Sequence, residues 1–279
     1  MAFPERGTRR RLVVNADDFG RSDSINEAVL RSHRDGILTT ASLMVAGDAF
    51  EPALAIARAT PSLGVGLHLT LVCGRAVLGP DRIPGLVDGA GEFSSNAPLA
   101  GFRYWARRDL REQLRMELAA QFERFHATGL VLDHVNGHLH LHLHPVVFDL
   151  LAEHAREWRI ERMRLTRDSL AISRRTASGR WGYRLSHAVV FAGLSRRAAP
   201  VLKRLGIRHT AGVYGLLQDG WVDEDYLMRL LPCLPDGDLE LYSHPSMDRF
   251  RNEYEALVSP RVAERVRRLG FERVRYQDL

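Results

Sequence analysis

Short apolar runs alternate along the chain with stretches in which apolar residues recur every three or four positions. The runs predict buried strands, and the recurring stretches predict amphipathic helices. This alternation favours an α/β fold with a mainly parallel sheet. Predicted strands cover residues 12–14, 40–45, 64–71, 130–135, 162–166, 209–213, 239–243 and 274–276, and predicted helices cover 24–36, 50–59, 110–128, a segment from Pro145, 186–205, 224–231 and 262–269.

No linker, repeat or low-complexity segment interrupts this pattern, so we expect residues 1–279 to form a single domain. About seven parallel strands in a barrel-like arrangement are expected, with the active site at the carboxyl ends of the strands. Residues 73–104 and 168–182 show no clear period, and we predict that both are long loops.

The composition excludes several classes of protein. Of the 279 residues, 45% are hydrophobic, which is enough to bury a sizeable core. Two cysteines, Cys73 and Cys233, are too few for a disulfide framework. No apolar run approaches the roughly 18 residues that span a membrane, and the charged first residues lack the apolar stretch of a secretory signal. We therefore expect a cytoplasmic protein, and association with the inner face of the membrane stays open.

The 39 basic residues outnumber the 34 acidic ones, giving a net charge of +5, and every basic residue except Lys203 is arginine. Many arginines alternate with acids, as in residues 107–112. This is typical of a solvated surface and argues against nucleic acid as a partner. Affinity for an anionic lipid surface and assembly into a homodimer are both compatible with the composition.

Polar residues stand where several predicted strands end. Asp17 and Asp18 follow the first strand, His68 lies in the third, and His244 follows a late one. The carboxyl ends of parallel strands share one edge, so these side chains are expected to converge. Each also has an ordinary explanation: a turn for the aspartates, a core position for a histidine. Arg164, near another strand end, is expected to hold a carboxylate through two hydrogen bonds, unless it is a surface arginine.

Five histidines, His134, His138, His140, His142 and His144, fall within eleven residues. An extended segment would place the last four on one face, whereas a helical segment would pair His138 with His142. Either arrangement brings at least two imidazoles together, and neutral imidazole is the commonest protein metal ligand. A catalytic zinc ion takes about three protein ligands, so not all four histidines are ligands.

Four segments together resemble the YdjC-like carbohydrate deacetylases, which are relatives of chitooligosaccharide deacetylase. They are residues 14–20 (VNADDFG), 66–69 (GLHL), the histidine cluster and 242–245 (YSHP). The resemblance runs from about residue 11 to residue 248, and residues 128–138 also look like the branch associated with hopanoid biosynthesis. The resemblance implies a fold of class α/β, a distorted (β/α) barrel, and one divalent metal ion, Zn²⁺ or Mg²⁺.

The resemblance also implies a ligand set. The family's metal aspartate falls on Asp18 and its two metal histidines on His68 and His138, while its base falls on Asp17. Whether His142 is a further ligand stays open. Relatives often carry an Asp-Ser pair where this chain has residues 136–137, Asn-Gly.

Two further side chains complete the predicted chemistry. His244 as an imidazolium is suited to protonate a departing nitrogen, and Arg164 is suited to orient the base and keep it ionised. We predict a metal-dependent hydrolase that removes the N-acetyl group from an N-acetyl amino sugar, with an acetylglucosaminyl hopanoid lipid as the expected substrate. The alternatives are a deacetylase of soluble chitooligosaccharides, a metal-dependent phosphoesterase on a similar barrel, and a non-enzymatic metal-binding or membrane-associated protein.

The two long loops are expected to shape the entrance for the sugar and the lipid. Aromatic faces suit both kinds of surface. The candidate contact residues in these segments are Phe102, Tyr104, Trp105 and Trp181.

Overall fold

A computed structural model describes residues 9–279 of the chain. The strands in these residues are β1 (Arg10–Phe19), β2 (Thr40–Leu43), β3 (Gly64–Leu69), β4 (Val135–Gly137), β5 (Gly212–Tyr214), β6 (Gly237–Ser243) and β7 (Glu272–Arg273). The helices are α1 (Asp23–Arg34), α2 (Phe50–Ala59), α3 (Ala97–Ala106), α4 (Leu110–Ala127), α5 (Pro145–Glu153), α6 (Leu170–Thr176), α7 (Trp181–Leu205), α8 (Glu224–Leu230), α9 (Arg251–Val258) and α10 (Pro260–Arg268).

The strands form one parallel sheet in the order β4-β3-β2-β1-β6-β5, with β7 beside β1. Residues 161–167 run between the two ends of this order. The amide of Val135 in β4 donates to the carbonyl of Arg162 at 3.0 Å, and the amide of Val213 in β5 donates to the carbonyl of Arg167 at 3.0 Å. The sheet therefore curls into a distorted (β/α) barrel, which confirms the predicted fold class.

The core lies between the strands and the surrounding helices. The apolar residues of β1 are fully buried, as are the inward-facing leucines and phenylalanines of α4. Continuous apolar runs of this kind are typical of parallel strands covered on both faces. Within residues 9–279, no helix combines the length and the apolar character needed to cross a bilayer.

Several predicted elements differ from the observed ones. The strand predicted over 130–135 is confined to β4, residues 162–166 form only isolated bridges, and the last strand is β7 rather than 274–276. Strands of two or three residues are too short to show a period along the sequence. Helix α9 was not predicted, and the side chain of Ser22 caps the start of α1.

Both predicted long loops contain a helix. Part of 73–104 forms α3, and part of 168–182 forms α6. Helix α3 was missed because the Gly- and Pro-rich residues before it show no period, although its large apolar residues Leu99, Phe102 and Trp105 recur every three positions. These three side chains are at least half exposed, so the helix does not present them to the core.

Candidate active site

Asp17 and Asp18 both reach the carboxyl edge of the sheet because β1 is irregular at its end. Successive side chains of a regular strand point to opposite faces, so two adjacent aspartates would be separated. The pairing of β1 with β2 shifts between Ala16 and Phe19, and Asp18 has a φ of 65°. This left-handed conformation is uncommon outside glycine, and it turns Asp18 towards the strands β3 and β4.

Asp18 lies against His68 and His138. The His138 Nδ1 atom is 2.8 Å from Asp18 Oδ1, and the His68 Nε2 atom is 3.2 Å from the same oxygen. One ligand atom from each of the three residues lies within 4.8 Å of the other two, and all three side chains are buried. Burial would raise the pKa of Asp18, but the two histidines outweigh it and hold that pKa well below its ordinary value.

The hydrogen bonding of the His68 ring shows that the group of Asp18, His68 and His138 fits a metal ion. Strands β3 and β4 pair His68 with Asn136, and the His68 Nδ1 atom donates to the Asn136 Oδ1 atom at 2.7 Å. The proton is then on Nδ1, so Nε2 carries a lone pair, is buried, has no hydrogen-bond partner and faces the carboxylate of Asp18. A cation between these atoms would satisfy both, and a second hydrogen bond that fixes the tautomer is usual for metal-binding histidines.

Asp17 is held by four hydrogen bonds. Arg164 donates to both of its carboxylate oxygens, at 2.6 and 2.9 Å, and Asn15 and Asn136 donate to Oδ1 at 2.8 and 3.1 Å. Burial would raise the pKa of Asp17, but the charge of Arg164 is the largest of the opposing effects, and the pKa lies far below its ordinary value. Asp17 is therefore ionised at every physiological pH.

Arg164 is fully buried and is not the surface arginine of the alternative interpretation. It also donates two hydrogen bonds to Glu240 Oε1, at 2.6 and 3.0 Å, and the hydroxyl of Tyr276 donates to the other oxygen of Glu240. Burial would lower the pKa of Arg164, whereas Asp17 and Glu240 raise it well above its ordinary value. The carboxylates of Asp17 and Glu240 thus flank one guanidinium, and the hydroxyl of Tyr276 stabilises the remaining negative charge on Glu240.

The sequence analysis missed Glu240, Asn15 and Asn136. Glu240 had a signal, since a single acid between Leu239 and Leu241 in a buried strand needs a cation as its partner. The two asparagines carried no comparable signal, because a buried amide is satisfied by ordinary neighbours in most proteins.

His244 lies at the end of β6 and pairs with Asp219, which the sequence analysis also missed. Their Nδ1 and Oδ1 atoms are 3.0 Å apart, and the backbone amide of His244 donates to the carboxylate of Glu253. Burial lowers the pKa of His244, but Asp219, Asp18 and Asp17 outweigh it and raise the pKa to about 10. His244 is therefore an imidazolium at neutral pH, with its other nitrogen available.

The histidine cluster follows neither of the two predicted geometries. Leu139 and His140 both have positive φ angles, of 49° and 58°, within a 3-10 turn over His138–Leu143. This turn sends successive imidazoles to different neighbours. His140 Nε2 is 3.2 Å from the hydroxyl of Tyr242, and His142 Nε2 donates to the carbonyl of Arg164 at 3.0 Å.

The cluster therefore contributes His138 to the group around Asp18, while His142 lies outside that group. Burial lowers the pKa of His142 to about 3, so the ring is neutral. His134 is bound between Ser42 and Asp133, at 2.9 Å from each, and the ring of His144 lies edge-on to Tyr104. Four of the five histidines thus have structural neighbours of their own.

A cavity of about 490 Å³ opens at this edge of the barrel. One wall includes the strand-end residues Asp17, Tyr242 and His244, and another comes from the first half of α7. Tyr104 does not reach it, because that side chain is buried and its hydroxyl donates to the carbonyl of Leu71. The lining residues are Asp17, Ala97, Pro98, Leu139, His140, Leu141, Tyr183, Ser186, His187, Val190, Phe191, Leu216, Asp219, Tyr242 and His244.

Two relatives show what the chain is similar to. The carbohydrate deacetylase of Brevibacillus brevis is 39% identical over 150 residues, which cover 54% of this chain and 57% of the relative. The carbohydrate deacetylase of Geobacillus stearothermophilus is 39% identical over 152 residues, which cover 54% of this chain and 58% of the relative. The chain thus spans a little more than half the length of the curated relatives that it matches.

A solved structure shows the same fold. An Enterococcus faecalis V583 protein named for cellobiose-phosphate cleavage aligns with a TM-score of 0.71 and 21% identity, covering 97% of this chain and 98% of that one. The sequence profile described as YdjC-like protein matches residues 11–268. The chain therefore belongs to the YdjC-like protein family.

Proposed function

We propose that this protein is a metal-dependent deacetylase that removes the acetyl group from an N-acetyl amino sugar. One observation carries the proposal: the group of Asp18, His68 and His138 adjoins Asp17, and Asp17 lines the same cavity as His244. The names of the two relatives, both carbohydrate deacetylases, support the same class of reaction.

Asp18, His68 and His138 are the residues that would hold the cation. When bound, a divalent cation would supply Lewis-acid polarisation of the acyl oxygen and a lower pKa for water. Two imidazoles and one carboxylate suit Zn²⁺, and Mg²⁺ is the alternative. Three protein ligands leave positions free for water and substrate, as a catalytic site requires.

Asp17 receives the proton of the attacking water in this proposal. Its Oδ2 atom accepts a single hydrogen bond, from Arg164, whereas Oδ1 accepts three, so Oδ2 is the oxygen with capacity for the proton. Arg164 keeps the carboxylate ionised and fixes its orientation. The water oxygen joins the acyl carbon, and the carbon–nitrogen bond breaks.

His244 donates the proton that the departing nitrogen needs, so acetate and a free amine are released. An amine leaves poorly without protonation, and a positioned general acid contributes about 10²- to 10⁴-fold. Asp219 keeps His244 protonated at neutral pH. The pair of Asp17 as base and His244 as acid separates the two proton transfers between two side chains of one cavity.

We further propose an acetylglucosaminyl hopanoid lipid as the substrate. Residues 128–138 resemble the hopanoid branch, and apolar side chains such as Leu139, Val190 and Phe191 make up part of the cavity lining. A soluble chitooligosaccharide is the second candidate. A phosphoesterase is disfavoured, because such enzymes usually need ligands for two or three metals, and residues 9–279 hold a single three-residue group.

Acetate release from acetylglucosaminyl hopanoid and from chitobiose, measured in parallel, tests the function and the substrate together. The wild type should release acetate from the hopanoid faster. Asp17→Asn should keep its metal by elemental analysis and lose activity by roughly 10²- to 10⁴-fold. Wild-type turnover by Asp17→Asn would refute the base, and equal or faster turnover of chitobiose would refute the lipid substrate.

A further inference from the structure

Charge is distributed unevenly along the chain. Residues 169–218 carry nine basic side chains and no aspartate or glutamate, whereas the remaining residues carry 30 basic and 34 acidic side chains. The whole excess of positive charge therefore comes from the segment that contains α6 and α7. Arg174 and Arg175 of α6 are exposed, and neither forms an ion pair within the described part of the chain.

The first half of α7 is apolar on its exposed side. Trp181, Leu185, Val189 and Val190 are each between 47 and 63% exposed. Arg184 is the one Lys, Arg, Asp or Glu in residues 181–195, and its side chain is buried, donating to the carbonyls of Leu217 and Ser178. A solvated helix normally presents charged residues on this side.

Helix α3 repeats the pattern on another side of the same cavity. Leu99, Phe102 and Trp105 are between 50 and 64% exposed, and Ala97 and Pro98 at the start of this helix line the cavity. The helix contains no acid and is followed by the exposed Arg107, which pairs with Asp109, and by the exposed Arg108, which forms no ion pair within the described residues. Exposed aromatic and aliphatic side chains next to arginines are typical of helices that lie in a membrane interface.

We propose that α3 and the first half of α7 form a docking surface for an anionic lipid membrane, with the exposed arginines of α6 and Arg108 after α3 facing the lipid headgroups. The apolar side chains would enter the boundary between headgroups and acyl chains, and the cavity would open towards the bilayer. Basic side chains near a membrane surface attract anionic lipids, and salt screens this attraction.

Two other occupants fit the surface less well. A soluble sugar stacks on aromatic rings but gains little from Leu99, Leu185 and Val189, which make up much of the surface. A second copy of the chain would meet an equally basic segment and would cover the mouth of the cavity. That last point rests on the proposed function, whereas the charge and the exposed residues do not.

Co-sedimentation with vesicles tests this surface without any catalysis. The wild type should bind vesicles of mixed phosphatidylcholine and phosphatidylglycerol at least ten-fold more strongly than vesicles of phosphatidylcholine alone, and added salt should weaken the binding. The double variant Leu185→Ser/Val189→Ser should lose at least ten-fold in binding. Neither residue lines the cavity.

Val131→Ser and Leu205→Ser are the matched controls, since both residues are exposed and neither lines the cavity. Leu205 lies twenty residues after Leu185 on α7, about 30 Å along the helix at the usual rise. Both controls should bind like the wild type. Asp17→Asn should also bind normally, so loss of deacetylation and loss of membrane binding are distinguishable.

Three results would overturn the proposal. The first is equal binding to the two kinds of vesicle, or none. The second is a dimer in sedimentation analysis that the Leu185→Ser/Val189→Ser variant abolishes, which would identify a second copy as the occupant. The third is a tryptophan fluorescence change with chitooligosaccharide in a protein that ignores vesicles, which would identify a sugar platform.

Discussion

The two walls of the cavity differ in how they are built. The strand-end wall consists of polar and charged side chains such as Asp17, which Arg164 behind it holds through two hydrogen bonds at the carboxyl edge of the parallel strands. The α7 wall mixes apolar side chains, such as Val190 and Phe191, with polar ones, on a helix whose outer side is exposed and apolar. Chemistry needs fixed geometry, whereas contact with a substrate or a membrane needs mainly apolar area.

The largest effect is expected where the strand-end wall meets the metal. His138→Ala should remove a ligand, so that metal content falls to background and acetate release falls by at least roughly 10³-fold, or about 4 kcal/mol of activation free energy. Elemental analysis measures the metal content, and an assay of acetate release measures the activity.

His142→Ala is the control within the same cluster. Its Nε2 atom is occupied by the carbonyl of Arg164, so the variant should retain its metal. If His142→Ala lost the metal while His138→Ala kept it, His142 and not His138 would be the metal ligand.

The next effect concerns the charges behind Asp17. Glu240→Gln leaves buried Arg164 paired with Asp17 alone and weakens its two hydrogen bonds to position 240, so it should cost about 1.5–3 kcal/mol of unfolding free energy. Urea unfolding measures this loss. Glu161→Gln removes an exposed partner of Arg162 and should cost below about 1 kcal/mol. Similar losses of unfolding free energy in the two variants would show that burial of the ion pairs around Arg164 contributes little to stability.

Asp219→Asn should change the pH dependence of the proposed acid. The pKa of His244 is raised to about 10, chiefly by Asp219 acting against burial, so removing that charge lowers this pKa and moves the alkaline limb of activity to lower pH. A shift of roughly one pH unit or more is expected. A bound cation would move the alkaline limb of activity to lower pH in the wild type and in the variant alike. The quantity to measure is therefore the difference in pH between the two limbs.

The free energy of unfolding should also depend on pH through the pair of His244 and Asp219. The pKa of folded His244 lies above the ordinary 6.5, so the pair with Asp219 stabilises the fold fully below pH 6.5, and this contribution is lost as the pH rises through about 10. Asp219→Asn should therefore unfold more easily than wild type at pH 6 but similarly above pH 10. A constant difference across this range would separate the effect from His244.

The sequence was informative about the residues of the strand-end wall, whereas for the other wall it predicted the helix over 186–205 but not which of its residues line the cavity. Asp17, Asp18, His68 and His244 are chemically distinctive residues at the ends of recognisable strands, so the convergence of parallel strands could be expected. Asp219 depends on contacts made after folding, which no short-range pattern encodes, whereas Glu240 could have been found from its place between two leucines of a buried strand. Helix α3 escaped detection because its short apolar repeat follows a Gly- and Pro-rich segment without a period.

Leu139 lies at the junction of the two walls and should give the smallest effect. It lines the cavity, is 50% exposed and has a φ of 49°, a conformation that costs a branched residue about 1 kcal/mol but suits asparagine. Leu139→Asn should therefore raise the unfolding free energy by up to about 1 kcal/mol. His140→Asn, with a similar φ but a buried ring against Tyr242, should instead lose stability. The strain at Leu139 is then retained for its apolar side chain, and Leu139→Asn should slow turnover of the hopanoid more than that of chitobiose. An equal change in the turnover of both substrates would show that the Leu139 side chain gives no preference for the lipid.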